Sequence, residues 1–122
     1  MSGKEILVDT NIILYLLNGS ETLANFLQGK NIYLSFITEL ELIDFKENKS
    51  EELQISELLD DCSIIQLNEK IKAKYKYVRK KYRLKLADAI IAATALAHNL
   101  PLITADTGFK AVEEIDLILI EK

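Results

Sequence analysis

Residues 5–17 read EILVDTNIILYLL, and this stretch determines how the rest of the chain is interpreted. Residues 6–8 are a short apolar run that predicts a strand. The run ends at Asp9, and the apolar residues that resume after Asn11 predict a helix. A strand that passes directly into a helix places the junction at the carboxyl end of the strand, where open α/β sheets bind their ligands. We therefore expect the Asp9 carboxylate to face a ligand site rather than the core.

The composition is that of an ordinary globular domain. The chain has 122 residues, of which 49% are hydrophobic and 28% charged, enough to bury one core. No stretch approaches ~18 consecutive apolar residues, the length needed to span a membrane. The first residues lack the apolar segment of a signal peptide. Cys62 is the single cysteine and cannot form an internal disulfide. We therefore expect a single domain over residues 1–122, with no membrane span and a reducing, cytoplasmic environment.

The charge is unevenly distributed along the chain. Residues 70–85 contain nine basic residues and no acidic one, although the formal net charge of the whole chain is −4. A basic segment in an acidic chain suggests a polyanionic partner that is contacted locally. A solvated helix face that merely balances the acidic residues explains the same pattern equally well before any motif is considered.

Strands and helices alternate along the rest of the chain. Further strands are predicted at four places, residues 32–36, 62–67, 101–104 and 115–120. Helices are predicted at residues 86–98 and after each of four N-capping residues, Ser20, Thr38, Ser50 and Asn68. The helix after Thr38 is predicted to extend to about Lys46. This alternation predicts an α/β fold with three layers, α/β/α, around a central parallel sheet of about five strands.

The basic segment is predicted to be the helix that begins at Asn68. Its residues Ile71, Tyr75, Val78 and Tyr82 recur at the spacing of one buried helical stripe. Since this stripe faces the core, the basic side chains between its members are expected to face solvent. These side chains are the candidates for contact with a polyanion.

Four carboxylates fall at or just after the predicted junctions: Asp9, Glu41, Asp88 and Asp106. Each also has a structural explanation. Glu41 lies where a capping box with Thr38 would place it. Asp88 suits the positive end of a helix dipole, and Asp106 suits a turn. For Asp9 the structural explanation is weakest, because an Asx turn between strand and helix needs only Asn11.

The four carboxylates indicate a function if the first and fourth strands are neighbours in the sheet. Converging carboxylates repel one another and raise one another's pKa values. A hard divalent cation such as Mg²⁺ relieves this repulsion, accepts oxygen ligands and retains several waters. Because such a cation activates water and stabilises charge on a phosphodiester, the set indicates metal-dependent phosphoryl chemistry.

Three stretches carry a family resemblance: VDTNIILYLL (residues 8–17), SFITELEL (35–42) and KLADAIIAATALAHNLPLITADTGF (85–109). Together with the last predicted strand, they resemble a PIN domain, in particular the small VapC-type toxin ribonucleases, over nearly the whole chain. The resemblance implies a PIN-like sheet of strand order 3-2-1-4-5, in which strands one and four are adjacent. It also implies a metal-dependent endoribonuclease that uses Mg²⁺ or Mn²⁺ to hydrolyse RNA phosphodiester bonds.

The resemblance assigns roles to individual residues. The catalytic, metal-binding acids would be Asp9, Glu41, Asp88 and Asp106. Asn11 and Thr104 would be polar groups beside them. Glu39, two residues before Glu41, stays an alternative to it. The family usually has an arginine with a glycine nearby before its third acid, whereas this chain reads KKYRLKLAD, so the role of Arg83 stays open.

The same resemblance favours RNA as the polyanion bound by the basic segment. The candidate contacts are Lys72, Lys76, Tyr77, Lys80, Lys81 and Arg83. It also implies the toxin of a type II toxin–antitoxin pair, with a small antitoxin protein as partner, and a homodimer. The first helix, over residues 12–17, is apolar around more of its circumference than one buried stripe requires, which fits a protein partner.

Two other functions fit parts of the pattern. A PIN-like module for RNA binding or protein interaction, with weak catalysis, is the alternative to the nuclease, although the presence of all four acids favours the enzyme. An unrelated aspartate-based α/β phosphotransferase is the third hypothesis. It would need a second acid near Asp9, where the chain has Asn11.

Overall fold

A computed structural model of the protein describes residues 4–45 and 48–121. Over these residues, five strands alternate with six α-helices and one short 3-10 helix. The strands are β1 (Glu5–Val8), β2 (Asn31–Ser35), β3 (Ser63–Ile65), β4 (Leu102–Thr104) and β5 (Leu117–Leu119). The helices are α1 (Thr10–Leu17), α2 (Glu21–Leu27), α3 (Phe36–Phe45), α4 (Lys49–Asp60), α5 (Glu69–Lys81) and α6 (Leu86–His98), and the 3-10 helix spans Thr107–Ala111.

The five strands form one parallel sheet in the order β3-β2-β1-β4-β5. The predicted order 3-2-1-4-5 is therefore confirmed, and β1 lies at the centre beside β4. Val8 of β1 is paired with Ile103 of β4. Because the two strands are parallel, the next residues, Asp9 and Thr104, emerge side by side at the carboxyl edge of the sheet. This register positions the candidate site.

The sheet is covered on both faces, because successive residues of a strand point to opposite sides. Leu7 packs in one core with buried residues of α5 and α6. Ile6 and Val8 pack in a second core with buried residues of α1 to α4. The predicted three-layer α/β/α architecture is therefore confirmed. No helix in the described ranges combines the length and the apolar character needed to cross a membrane.

Two predicted helix starts and the stripe of the basic segment are confirmed. Ser20 caps α2, with its hydroxyl accepting a hydrogen bond from the Leu23 N–H at 3.3 Å. Asn68 caps α5, with Oδ1 accepting from the Ile71 N–H at 2.9 Å. Ile71 and Val78 of α5 are fully buried against α6. The basic residues between them are exposed, as the spacing predicts.

The predicted start of α3 is wrong. The helix begins at Phe36, and the Ser35 hydroxyl accepts a hydrogen bond from the Ile37 N–H at 3.2 Å. Thr38 is therefore a buried residue of the first turn rather than the N-cap. The described part of the helix runs to Phe45. The predicted extension to Lys46 lies outside the described residues.

The start of α4 and the bounds of the strands also differ from the prediction. Asn48, rather than Ser50, caps α4, because its Oδ1 accepts the Glu51 N–H at 2.9 Å. Strand β2 ends one residue earlier than predicted, since the next residue already belongs to α3. Strands β3 and β5 have three residues each and lie at the two edges of the sheet, where only one neighbouring strand extends the pairing.

Candidate active site

Asp9 is the residue around which the candidate site is built. Its backbone N–H donates a hydrogen bond to the Ile103 carbonyl of β4 at 3.0 Å, so the sheet fixes its position. Its side chain caps α1, with Oδ1 accepting from the Thr10 N–H at 2.8 Å. Only 5% of the residue is exposed. The fold thus places a carboxylate at the central edge of the sheet, where loss of hydration must be offset by polar partners.

Thr104 joins Asp9 to the segment that carries Asp106. Its hydroxyl donates to Asp9 Oδ2 at 2.6 Å and accepts a hydrogen bond from the Asp106 N–H at 3.0 Å. Asp106 Oδ1 in turn accepts from the Gly108 N–H at 2.8 Å, which caps the 3-10 helix. Since Thr104 is fully buried, one hydroxyl held in the core fixes two of the four predicted acids relative to each other.

The first turn of α1 is attached to two neighbouring segments. Asn11 Oδ1 accepts a hydrogen bond from the Ala105 N–H at 3.2 Å, just after β4. The Thr10 hydroxyl donates to Glu41 Oε1 at 2.6 Å and lies 3.1 Å from the Thr38 hydroxyl. Through this contact the Glu41 carboxylate of α3 is held beside the N-terminus of α1.

Thr10 is a site residue that the sequence did not reveal. Its position between Asp9 and Asn11 was the available signal, but a threonine in the first turn of a helix is too common to suggest a contact with a distant glutamate. The contact also corrects the capping-box explanation of Glu41. The Glu41 side chain accepts from Thr10, and Thr38 is not the N-cap of α3, so the predicted reciprocal bond is wrong.

Burial and nearby negative charge both act on Asp9. Its pKa is raised above the ordinary value of 3.8, principally because burial disfavours the charged form. Hydrogen bonds from the Thr104 hydroxyl and the Thr10 N–H oppose the rise, while the charges of Glu41 and Asp106 add to it. The two hydrogen bonds therefore only partly offset the effect of burial and nearby negative charge on the pKa of Asp9.

Asp88 lies in the same negative environment, at the first turn of α6. Burial raises its pKa, and the charges of Asp106 and Asp9 raise it further, with a smaller contribution from Glu41. Lys85 opposes the rise. The structure therefore brings together the four acids that the sequence singled out. Of the two candidate glutamates, Glu41 is the one among the main causes of the raised pKa at Asp9 and Asp88.

The donor set fits a hard divalent cation. Every candidate ligand is a carboxylate oxygen, the ligand type that such a cation prefers. The four carboxylates repel one another, and a bound cation would relieve this repulsion. Within residues 4–45 and 48–121, no three Asp, Glu, Cys or His side chains are already arranged as a metal-binding group. The two oxygens of Asp9 each accept one hydrogen bond instead. A carboxylate oxygen has further acceptor capacity, so these bonds are compatible with coordination.

Comparison with known proteins supplies the family. A sequence model of the PIN domain matches residues 6–115, which is most of the chain. The chain belongs to the PIN domain family. The resemblance found in the sequence is thereby confirmed. Among curated protein sequences, none matches this chain at a significant level.

Among solved structures, chains from a toxin–antitoxin complex and from two VapBC proteins share this PIN fold. A toxin–antitoxin complex from Klebsiella pneumoniae contains a chain that is 30% identical with a TM-score of 0.84, and the match covers 96% of this chain and 99% of that one. VapBC-1 from nontypeable Haemophilus influenzae gives 26% identity, a TM-score of 0.76 and coverage of 94% and 97%. VapBC2 from Rickettsia felis, bound to a promoter DNA fragment, is 22% identical with a TM-score of 0.82, and the match covers 94% of this chain and 98% of that one. At this identity the similarity shows a shared fold.

The predicted RNA contacts of this PIN domain fall into two groups. Tyr77 and Lys81 are engaged within the chain. Lys81 Nζ lies 3.4 Å from Glu114 Oε2 and donates to the Tyr77 hydroxyl at 3.1 Å, while that hydroxyl donates to the same carboxylate. The other four are exposed basic side chains: Lys72, Lys76, Lys80 and Arg83. Of these, Lys72 forms an exposed ion pair with Glu69, its Nζ lying 3.5 Å from Oε1.

Glu114 is expected to stabilise the PIN domain in a pH-dependent manner. Hydrogen bonds from the Tyr77 and Tyr82 hydroxyls, aided by Lys81, lower the pKa of Glu114 from its ordinary 4.5 to about 2. A carboxyl whose pKa is lowered on folding stabilises the protein above its ordinary pKa, and this contribution is lost as pH falls through the lowered value. Glu114→Gln is therefore expected to lower Tm near neutral pH.

The expected Tm difference between wild type and Glu114→Gln shrinks as pH falls from 4.5 towards about 2. Thermal melts of the two proteins across this range measure it. A difference that is the same at neutral and acid pH would show that the Glu114 charge contributes nothing and that only packing was changed.

Proposed function

We propose that this PIN domain is a divalent-metal-dependent endoribonuclease that hydrolyses RNA phosphodiester bonds. One observation carries the proposal: four acids share the carboxyl edge of β1 and β4, where burial raises the pKa of Asp9 and Asp88 and the charges of the other acids raise it further. A single carboxylate there could serve the fold alone. Several that repel one another cost stability, and they are explained by a cation that they would bind. Membership of the PIN family supports this interpretation.

The proposed ion, Mg²⁺ or Mn²⁺, would be held by Asp9, Glu41, Asp88 and Asp106. When bound, such an ion lowers the pKa of water and stabilises negative charge on the phosphodiester. The chain's own polar groups keep the acids in place. The Thr104 hydroxyl orients the Asp9 carboxylate, and the Thr10 hydroxyl orients that of Glu41. These two threonines are therefore positioning residues in the proposed mechanism.

The basic segment supports RNA as the substrate. Phosphate groups are bound by Lys and Arg, and such contacts hold the backbone without reading its sequence. The proposed contacts remain Lys72, Lys76, Tyr77, Lys80, Lys81 and Arg83. Three of these would have to exchange an internal partner for RNA, since Tyr77 and Lys81 are bound to Glu114 and Lys72 is paired with Glu69.

We further propose that the protein is the toxin of a toxin–antitoxin pair and forms a homodimer. The exposed apolar side chains of α3 and α4 support a protein partner: Leu40, Ile43, Phe45 and Leu53. Ile43 also lines a groove of about 240 Å³ between these helices. The excess apolar surface predicted for α1 is smaller, because Leu14 and Leu17 pack partly against the core. A partner is therefore expected to cover α3 and α4.

Cleavage of labelled single-stranded RNA by the purified protein tests the proposal. Cleavage is expected with Mg²⁺ or Mn²⁺ and is expected to stop when EDTA removes the ion. Asp9→Asn, purified in the same way, controls for contaminating nucleases. RNA that is bound but not cleaved with either metal would contradict the nuclease and favour the weakly catalytic binding module.

A further inference from the structure

A concave surface with a strongly basic lining lies at the junction between α5 and α6. It measures about 400 Å³, and it is lined by Arg79, Tyr82, Arg83, Leu84 and Lys85. Three of these residues are cationic, and no acidic residue of the described chain belongs to the lining. The three cations are exposed, whereas Tyr82 and Leu84 are half-buried. The surface therefore combines positive charge with an apolar wall.

The wall of this junction surface is held rigidly. Tyr82 is the C-cap residue of α5, and its backbone N–H donates to the Val78 carbonyl at 2.8 Å. At the other end of the side chain, the Tyr82 hydroxyl donates to Glu114 Oε1 at 2.5 Å. Because both ends of the residue are fixed, the ring is preorganised, and a ligand packed on it would cost little further ordering.

The three cations of the junction surface are available to a ligand. Neither Arg83 nor Lys85 forms an ion pair with any residue that the structure describes, whereas Lys81 is paired with Glu114. Arg79 lies over the Tyr75 ring, at 5.8 Å from its centroid, and approaches no carboxylate of the described chain. Three cations around one concavity, none of them in such an ion pair, attract a polyanion.

Helix capping does not explain the presence of Lys85. It is the N-cap residue of α6, and its side chain makes no capping hydrogen bond. A cation at this end of a helix opposes the helix dipole, which is positive there, and lysine is not among the common N-capping residue types. The position suits Lys85 in another way, because its charge favours the ionised form of Asp88 in the first turn of the helix. Its side chain is exposed, so an anionic ligand can reach it.

The junction surface also lies next to Asp88, one of the four acids. Lys85 is the N-cap residue of α6, and Asp88 is in the first turn of the same helix. A phosphate bound by Lys85 would therefore lie close to a linkage held at the acids. Lys70 and Lys74 belong to the N-terminal half of α5, a different helix from the one that carries Asp88.

We propose that this concavity is a subsite for the phosphodiester backbone of single-stranded RNA, adjacent to the linkage that is cut. Arg83 and Lys85 bind phosphate oxygens, with Arg79 at the rim, and the fixed ring of Tyr82 supports a sugar or base. The proposal rests on the proposed function and deepens it. In this proposal, RNA that is positioned for cleavage is bound at the junction. The other basic residues of α5 attract RNA only through general, salt-sensitive electrostatics.

The test compares two pairs of substitutions that remove the same charge. Arg83→Gln/Lys85→Gln alters the junction, and Lys70→Gln/Lys74→Gln alters the N-terminal half of α5, away from the junction. Each pair is introduced into Asp9→Asn, so that a short fluorescein-labelled single-stranded RNA stays intact during anisotropy titrations. The junction pair is expected to weaken binding by about 10-fold or more, and to flatten the salt slope by about 0.7 for each phosphate that is no longer bound. The control pair is expected to weaken binding by less than about 3-fold.

The same pairs in the otherwise wild-type protein separate binding from chemistry. The junction pair is expected to raise KM for RNA cleavage with a smaller change in kcat, because its residues hold substrate and not the reacting atoms. Equal losses from the two pairs, or unchanged RNA affinity in the junction pair, would overturn the subsite. Unchanged RNA affinity with loss of a co-purifying protein would assign the surface to a protein instead. If the wild type binds RNA and never cleaves it, the nuclease proposal fails, while the anisotropy result still decides the subsite.

Discussion

Replacing Asp9 with asparagine is expected to lower the rate of RNA cleavage by about 100-fold or more. Asp9→Asn removes one negative charge from the proposed ligand set with almost no change in volume. Loss of a single electrostatic group from an active site typically costs about 10²–10³ in rate. The fold should persist, because asparagine is as good an N-cap as aspartate and its oxygen can accept the Thr10 N–H. Initial cleavage rates at saturating Mg²⁺ measure the loss of activity, and circular dichroism shows whether the fold persists.

The two glutamates of α3 provide a matched control for this experiment. Glu41→Gln and Glu39→Gln remove the same charge from neighbouring positions. Glu41 accepts the Thr10 hydroxyl and contributes to the raised pKa of Asp9, so its substitution is expected to cost a comparable factor in rate. Glu39→Gln is expected to stay close to wild type. Similar losses from both glutamates would indicate a general charge effect, and wild-type cleavage by Asp9→Asn would remove Asp9 from the catalytic set.

The position of Asp9 could be predicted from the sequence because it depends on local features. An apolar run that stops at Asp9 and resumes at Ile12 fits a strand that turns directly into a helix. The adjacency of the first and fourth strands required the family resemblance, and the structure confirms it. The consequence is specific: the pairing of Val8 with Ile103 brings the Thr104 hydroxyl to 2.6 Å from the Asp9 carboxylate.

The start of α3 could not be predicted in the same way. The Thr38-x-x-Glu41 spacing satisfies the pattern of a capping box, but the helix starts earlier, because the Ser35 hydroxyl accepts a hydrogen bond from the Ile37 N–H. The contact that holds the Glu41 side chain instead joins it to the Thr10 hydroxyl, 31 residues earlier in the chain. Local sequence patterns do not predict a bond of this kind, because it depends on how α1 and α3 meet in the folded protein.

The contacts of Tyr77 and Tyr82 were hidden for a related reason. Helical periodicity predicts which side of α5 is buried, and it correctly places Tyr82 towards the core. It does not specify where a hydroxyl group finds an acceptor. Glu114, which accepts from both tyrosines, lies more than 30 residues away in the sequence. Polar contacts between elements therefore had to be read from the structure.

The buried carboxylate of Asp9 predicts a second large effect, an increase in stability on metal binding, which can be measured without RNA. Because burial and neighbouring charges raise the pKa of Asp9, the folded protein holds this proton more tightly than the unfolded chain does. The stability contributed by the group is therefore present at acid pH. It is lost as pH rises from 3.8 through the raised value, and it remains absent at neutral pH. A cation that binds only the folded state would restore it.

At about 100 times its Kd, Mg²⁺ or Mn²⁺ is expected to stabilise the protein by about 2.7 kcal/mol. For a domain of this size, that corresponds to a rise in Tm of about 10 °C. Asp9→Asn is expected to lose most of this metal response. In EDTA at neutral pH it is expected to melt at or above the wild-type Tm, because it lacks the buried charge. Thermal melts in EDTA, Mg²⁺ and Mn²⁺ measure these differences.

Two controls make the metal response specific to the site. Potassium chloride at matched ionic strength screens surface charges without binding a carboxylate cluster, so it should reproduce little of the shift. Glu39→Gln should respond to the metal like wild type, since Glu39 is outside the proposed ligand set. If the metal does not raise the Tm of the wild type, or raises the Tm of Asp9→Asn by the same amount, the four carboxylates do not bind the cation. Their mutual repulsion would then be a cost that the fold bears at neutral pH, with Thr104 and Thr10 as its only compensation at Asp9 among the described residues.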